Sequence, residues 1–182
     1  MTRSTQVFGI ATVMIAASVV TPRADVVDVG ATGFTVTIVR HVAAPPANVF
    51  ATAVAVGTWW GSDHTFSGVA ANLKIDPRPG GCWCEQLLNG GGVRHMEVVY
   101  LAPGKTLVMH GGIGPLQSMA IAGSMVFQFA AAEGGTRLTV SYAVVGYRAE
   151  GLNTLAPIVD KVLTGQITRL KNYAEHGAPT KP

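Results

Sequence analysis

Residues 154–173 read TLAPIVDKVLTGQITRLKNY. Leu155, Val159, Val162, Ile167 and Leu170, with Ile158, Leu163 and Tyr173 beside them, recur at spacings of three and four, which lays an apolar stripe along a 3.6-residue helix. Asp160, Lys161, Thr164, Arg169 and Lys171 fall mostly on the other side. Thr154 is placed to cap the start, Pro157 falls within the first turn where a missing N–H does no harm, and Lys171 suits the negative pole. Gly177 and Pro179 stop the helix. Such a helix needs a broad apolar partner, and the chain before it, from Gly33 to Tyr147, reads mainly as strands and turns.

Working back from the helix, Phe34–Val42 alternates Phe34, Val36, Ile38 and Arg40 against Thr35, Thr37, Val39 and His41, a strand that Pro45 and Pro46 end. Asn48–Val56 reads as a short helix, and Thr58-Trp59-Trp60 after Gly57 as a second. Six further strands are expected over 69–76, 81–88, 93–101, 105–110, 123–131 and 136–147. They are separated by turn signals such as Asp76-Pro77-Arg78-Pro79-Gly80 and Asn89-Gly90-Gly91-Gly92. The fold class is therefore α+β: a seven-stranded antiparallel sheet, two short helices after the first strand and one long terminal helix.

The 182 residues are 48% hydrophobic, enough for one domain with a real core, assigned here to residues 33–177. The formal net charge of +3 comes from scattered basic residues, with no Lys/Arg run and no zinc-finger spacing, so nucleic acid is not an expected partner. At the amino terminus Arg3 precedes an apolar run, Val7–Val20, broken only by Thr12 and Ser18. That is the length and texture of a signal peptide, and it falls short of the about 20 apolar residues of a membrane span. Residues 1–24 are accordingly expected to be a signal peptide and lead-in. Cleavage between 18 and 24 would leave an exported chain with no stable span, and Thr21–Thr32 would be a flexible connection.

Chemistry-bearing residues are sparse. Cys82 and Cys84 flank Trp83; in an extended strand such side chains lie roughly 6.5–7 Å apart, whereas a disulfide needs Cβ atoms about 3.8 Å apart. The pair is therefore expected to stay reduced and buried, the alternatives being a distorted strand that joins them or metal ligation. The possible metal ligands Cys82, Cys84, His64, His95, Glu97 and His110 show no recognised ligand spacing, and no metal or cofactor is expected. His95 and Glu97 share a strand face that is expected to lie outward or at the rim. Ser62-Asp63-His64 is no triad merely by adjacency, and Gly111-Gly112-Ile113-Gly114 lacks the Lys-Ser or Lys-Thr of a phosphate loop. Asp63 and His64 remain able to serve as acid or base at a cavity mouth. The larger signal is the set of aromatic and thioether residues on elements surrounding the last helix, which either fill a core or line an apolar pocket.

The element order, together with Thr58-Trp59-Trp60, Phe66-Ser67-Gly68, the run Asp76-Pro77-Arg78-Pro79-Gly80-Gly81-Cys82-Trp83-Cys84-Glu85 and the closing helix, resembles the START/Bet v 1-like helix-grip superfamily. Within it the chain is most similar to the branch related to the activator of the Hsp90 ATPase and to polyketide cyclase/dehydrase-like proteins. The resemblance covers residues 35–175. It implies a hydrophobic cavity between a curved sheet and the terminal helix, near Trp59, Trp60, Phe66, Met109, Phe127, Tyr142, Leu155, Val159 and Val162. Such proteins include lipid and hormone binders, cyclases, hydroxylase domains and chaperone co-factors, so fold alone does not choose. The expectation is a monomeric or weakly dimeric exported binder of a small apolar or amphipathic molecule. The alternatives are a cyclase- or hydrolase-like enzyme using His64, His95 or His110 as acid or base with Tyr142 orienting a carbonyl, and an interaction protein with a closed core.

Overall fold

Apolar–polar alternation along residues 33–42 buries Phe34, Val36 and Ile38 beneath the last helix in the computed structural model, which describes residues 24–179. The chain forms β1 (Ala24–Val29), β2 (Gly33–Val42), α1 (Pro46–Val54), α2 (Val56–Trp59), β3 (Leu73–Ile75), β4 (Cys82–Gln86), β5 (Gly92–Ala102), β6 (Thr106–Gly111), β7 (Ala122–Ala132), β8 (Gly135–Val145) and α3 (Ala156–His176). Short 3₁₀ turns occupy Ser62–His64, Ala70–Asn72, Leu88–Gly90 and Gly114–Leu116. The strands form one antiparallel sheet in the order β1-β2-β8-β7-β6-β5-β4-β3. It curves around α3 in the helix-grip arrangement.

All seven expected strands are present, and among the described residues there is an eighth. β1 lies within the stretch expected to be a flexible lead-in; it pairs with β2 from Ala24↔Ile38 to Val29↔Phe34. The backbone groups along the outer side of β2 would otherwise be an unpaired edge, and β1 satisfies them. The expected 69–76 strand is shorter, because Ala70–Asn72 makes a 3₁₀ turn before β3 begins at Leu73. The expected signal segment lies outside the described residues but for Ala24. Among the described residues no helix is long and apolar enough to cross a membrane.

The terminal helix begins two residues later and ends three residues later than expected. Thr154 does not cap it: its hydroxyl donates to the Gly151 carbonyl, and Leu155 holds the cap position without a side-chain bond. Gly177 does stop it, in the left-handed conformation (φ 71°) with its N–H on the Tyr173 carbonyl. The apolar stripe divides along its length. Ile167 and Leu170 are buried in the core, Leu155, Ile158, Val159 and Val162 face a cleft, and buried Leu163 lies where the two meet. Burial of Leu163, Ile167 and Leu170 contributes about 1.5–3 kcal/mol each.

Cys82 and Cys84 are joined as a disulfide, which corrects the expectation of a reduced pair. Their Cα atoms are 5.3 Å apart, closer than the about 6.6 Å of two extended residues, so local contraction of β4 brings the sulfurs together. At the same register the pairing of β4 with β5 slips: Trp83 faces Met96 but Cys84 faces Arg94, leaving His95 as an extra residue. The link closes too small a loop to constrain the unfolded chain much; the chain-entropy relation gives about 1.6 kcal/mol.

Candidate functional site

An open cleft of about 450 Å³ lies between the amino-terminal half of α3 and two loops. Leu155, Ile158, Val159, Val162 and Leu163 form the helix side. Trp60 and the Asp63–Phe66 segment form a second side, and Ile113, Pro115, Leu116 and Met119 a third. Phe66 (55% exposed) and Ile158 (60%) stand at the mouth. Most of the lining is apolar; the polar side chains are Asp63, His64 and Thr65, next to one another on one side.

The Trp60–Ser67 side is held from behind. Trp60 contacts Trp59 and Trp83 edge-on, at centroid distances of 5.5 and 5.0 Å. The Trp60 indole N–H donates to the His64 carbonyl at 2.9 Å. Buried Gln166 of α3 accepts the Gly61 N–H at 2.7 Å, and the Arg169 guanidinium donates to the Trp59 carbonyl at 2.8 Å. A Cβ at Gly61 would displace the exposed Asp63 carboxylate and crowd the Gln166 amide that ties this crossing to the helix.

Beneath Phe66 lies a buried carboxylate–imidazole pair. Glu85, on the inner face of β4, accepts the backbone N–H groups of Phe66 (3.1 Å) and Ser67, and meets His95 Nε2 at 3.0 Å. Phe66 stacks on the His95 ring at 5.9 Å. Burial pushes the Glu85 carboxyl up, but the bonds from Ser67, Phe66 and His95 together outweigh it and hold the group below the usual carboxylate range. Burial pulls His95 below its ordinary value, and the Glu85 bond and charge only partly restore it. Neutral His95 therefore donates Nε2–H to the Glu85 carboxylate.

The third side is anchored by Tyr142. Its hydroxyl donates to the Gly111 carbonyl at 2.9 Å and accepts the Ile113 N–H, and burial pushes the phenol up to about 12. Gly111 has φ 151°, and a Cβ there would strike the His95 carbonyl, so glycine lets the end of β6 pass close to the slipped register of β5. Gln117 ties the loop to the Arg94 carbonyl.

A long helix gripped by a curved sheet, with an apolar cleft at one end of the grip, agrees with the comparisons. The family model described as polyketide cyclase / dehydrase and lipid transport matches residues 33–175. The chain belongs to this family. Solved structures with the same fold include an uncharacterised protein from Rhizobium leguminosarum, 21% identical, with a TM-score of 0.56 over 77% of this chain and 93% of that one. A conserved protein of unknown function from Enterococcus faecalis is 15% identical, with a TM-score of 0.59 over 88% and 82%. CalU16 from Micromonospora echinospora is 14% identical, with a TM-score of 0.54 over 81% and 78%. No curated protein matches the chain significantly.

Against this polyketide-cyclase-like frame the residues singled out in the sequence separate cleanly. Trp60, Phe66, Leu155, Val159 and Val162 line the cleft, and so does His64, whose Nε2 lies 3.7 Å from Asp63 Oδ2. Trp59, Met109, Phe127 and Tyr142 do not; they are buried in the closed part of the core. Tyr142 is not free to orient a carbonyl, because Gly111 and Ile113 already use its hydroxyl. His95 is buried (6% exposed) rather than outward: as the extra residue of the slipped register it turns inward next to Met96, and Glu97 takes the other face. His110 is exposed on β6 opposite Glu97, so it does not meet His95. Among the described residues no group of three or more His, Cys, Asp or Glu side chains is placed to hold a metal. Sequence reading missed Ile113, Pro115, Leu116 and Met119, which fall between the strands expected over 105–110 and 123–131. The one available signal was an apolar set, Ile113, Leu116 and Met119, between turn-forming glycines and Gly123.

Proposed function

We propose that this protein reversibly binds a small amphipathic molecule in the cleft between α3 and the 60–66 and 113–119 segments, and that it does so in an exported compartment. The observation that carries the reading is the division of the lining: apolar side chains on all three sides, with Asp63, His64 and Thr65 grouped on one. An apolar body fits against Trp60, Leu116 and Val159, with its polar end toward that group. The lipid-transport part of the family description supports a ligand of this kind. Export is supported by the Val7–Val20 segment and by the disulfide, since disulfides form and persist mainly in oxidising compartments.

A second reading is a cyclase- or hydrolase-like enzyme, favoured by His64 and Asp63 lining the cleft side by side. The two readings part on a pair of substitutions. Ligands are first sought by native mass spectrometry with lipid extracts and by titration with the apolar fluorophore N-phenyl-1-naphthylamine. Binding predicts that Trp60→Ala weakens the complex by more than roughly 1 kcal/mol through lost aromatic contact, while His64→Ala costs less, because Asp63 and Thr65 still meet the polar end. Loss of turnover of a found substrate in His64→Ala with binding intact would replace the binder reading with acid–base catalysis. Failure of every lipid and the fluorophore to bind would leave an interaction protein. Amino-terminal sequencing of the native protein tests export, and an intact Met1 in a cytosolic fraction refutes it.

A further inference from the structure

We infer that the Cys82–Cys84 disulfide is a redox switch for the cleft: its reduction releases the strand segment whose opposite face holds the Trp60–Ser67 side in place. For its effect on a ligand this rests on the binding reading above; for its effect on the protein it does not.

The strand β4 alternates. Cys82 and Cys84 are half-buried on one face, and Trp83 and Glu85 are buried on the other. Trp83 packs edge-on against Trp60, a cleft-lining ring. The Trp83 indole N–H has no hydrogen-bond partner among the described residues, so packing alone sets its position. Glu85 holds the Phe66 and Ser67 amides and the His95 ring on which Phe66 stacks. The disulfide thus sits directly behind both residues that support the segment. It also sits at the register slip that turns His95 inward, with the Cα atoms of Cys82 and Cys84 held at 5.3 Å.

The chemical step needs a dithiol reductant. One of its thiolates attacks one sulfur of the pair, the Cys82–Cys84 bond breaks and a mixed disulfide forms. The second thiolate resolves it, leaving the reductant as a disulfide and Cys82 and Cys84 as two thiols after uptake of two protons. With the link gone, β4 is free to lengthen toward the ordinary spacing of about 6.6 Å. Trp83 and Glu85 shift with it, and the Phe66 and Ser67 amides lose their fixed acceptor.

The test is hydrogen exchange on the full chain, oxidised and after excess dithiothreitol, with N-phenyl-1-naphthylamine titrations in both states. A Cys82→Ser/Cys84→Ser double variant reports the same state without reductant. Reduction is expected to speed exchange at Phe66 and Ser67 by about tenfold or more while the β7–β8 amides stay protected, and the double variant is expected to match. A fall in fluorophore affinity alongside supports the switch and the binding reading together. Faster exchange with no fluorophore binding in either state supports the switch and counts against the binding reading. Unchanged exchange in the reduced protein, a folded protein whose disulfide resists dithiothreitol, or a double variant as protected as the oxidised wild type would each overturn the inference.

Discussion

Glu85 and His95 meet at 3.0 Å beneath the exposed ring of Phe66, with side-chain exposures of 0% and 6%. The carboxylate also terminates the Phe66 and Ser67 amides, so one buried group joins β4, β5 and the cleft rim. Glu85→Ala leaves two backbone donors and an imidazole without their acceptor. It is expected to cost about 3 kcal/mol in urea denaturation, the scale of leaving buried donors unsatisfied. Glu85→Gln keeps one acceptor oxygen and is expected to cost less. A loss below about 1 kcal/mol for the alanine variant would show that the carboxylate is not the anchor.

The same pair sets a pH dependence. His95 is held below its ordinary value, so as pH falls through about 6.5 the unfolded chain takes up a proton that the folded protein refuses. Stability is complete above that pH and declines below it, until the folded imidazole also protonates. Glu85, held below the carboxylate range, adds a second decline in acid, below about pH 4.3. Urea midpoints between pH 7.5 and 4 are expected to drop for the wild type, and His95→Gln is expected to flatten the upper part of the curve. Equal slopes for the two proteins would refute this assignment.

Tyr142→Phe removes a hydroxyl that serves both Gly111 and Ile113. The expected outcome is a loss of about 1–2 kcal/mol and faster amide exchange at Ile113. Unaltered stability with loss of a catalytic rate would instead mean that the phenol acts on a substrate.

Neighbouring residues of α3 should behave differently. Leu163→Ala removes a side chain buried between core and cleft and is expected to cost about 2–5 kcal/mol. Val162→Trp fills the cleft from its half-buried position and is expected to leave the unfolding midpoint nearly unchanged while weakening N-phenyl-1-naphthylamine binding. Undiminished fluorophore binding in Val162→Trp would place that ligand elsewhere on the protein.

Sequence alone determined the architecture except for the edge strand β1, which only its pairing with β2 reveals. The three-and-four spacing from Leu155 to Leu170, the period-two alternation from Phe34, and the turn chemistry at Pro77–Gly80 and Asn89–Gly92 are local properties, and each dictates its element with little help from the rest of the chain. The same residues carried the helix-grip resemblance. Trp60, Phe66, Leu155, Val159 and Val162 were legible as cleft residues because they lie on those elements.

Tertiary structure decided what depends on a single residue of register or on the meeting of distant loops. A one-residue slip reverses which face a side chain occupies, and nothing local to Arg94-His95-Met96 announces it; His95 therefore passed as a rim residue when it is the buried partner of Glu85. The Cys82–Cys84 link needed a contraction of β4 that an ideal strand lacks. Met109, Phe127 and Tyr142 have the same residue types as a pocket lining, but their strands bury them where no cleft opens. The third side of the cleft comes from 113–119, far in sequence from Trp60 and Val159 and brought beside them only by the closure of the sheet around the helix. Local periodicity sets which face of an element is apolar; whether that face meets packed side chains or an open cleft is set by elements remote in the chain.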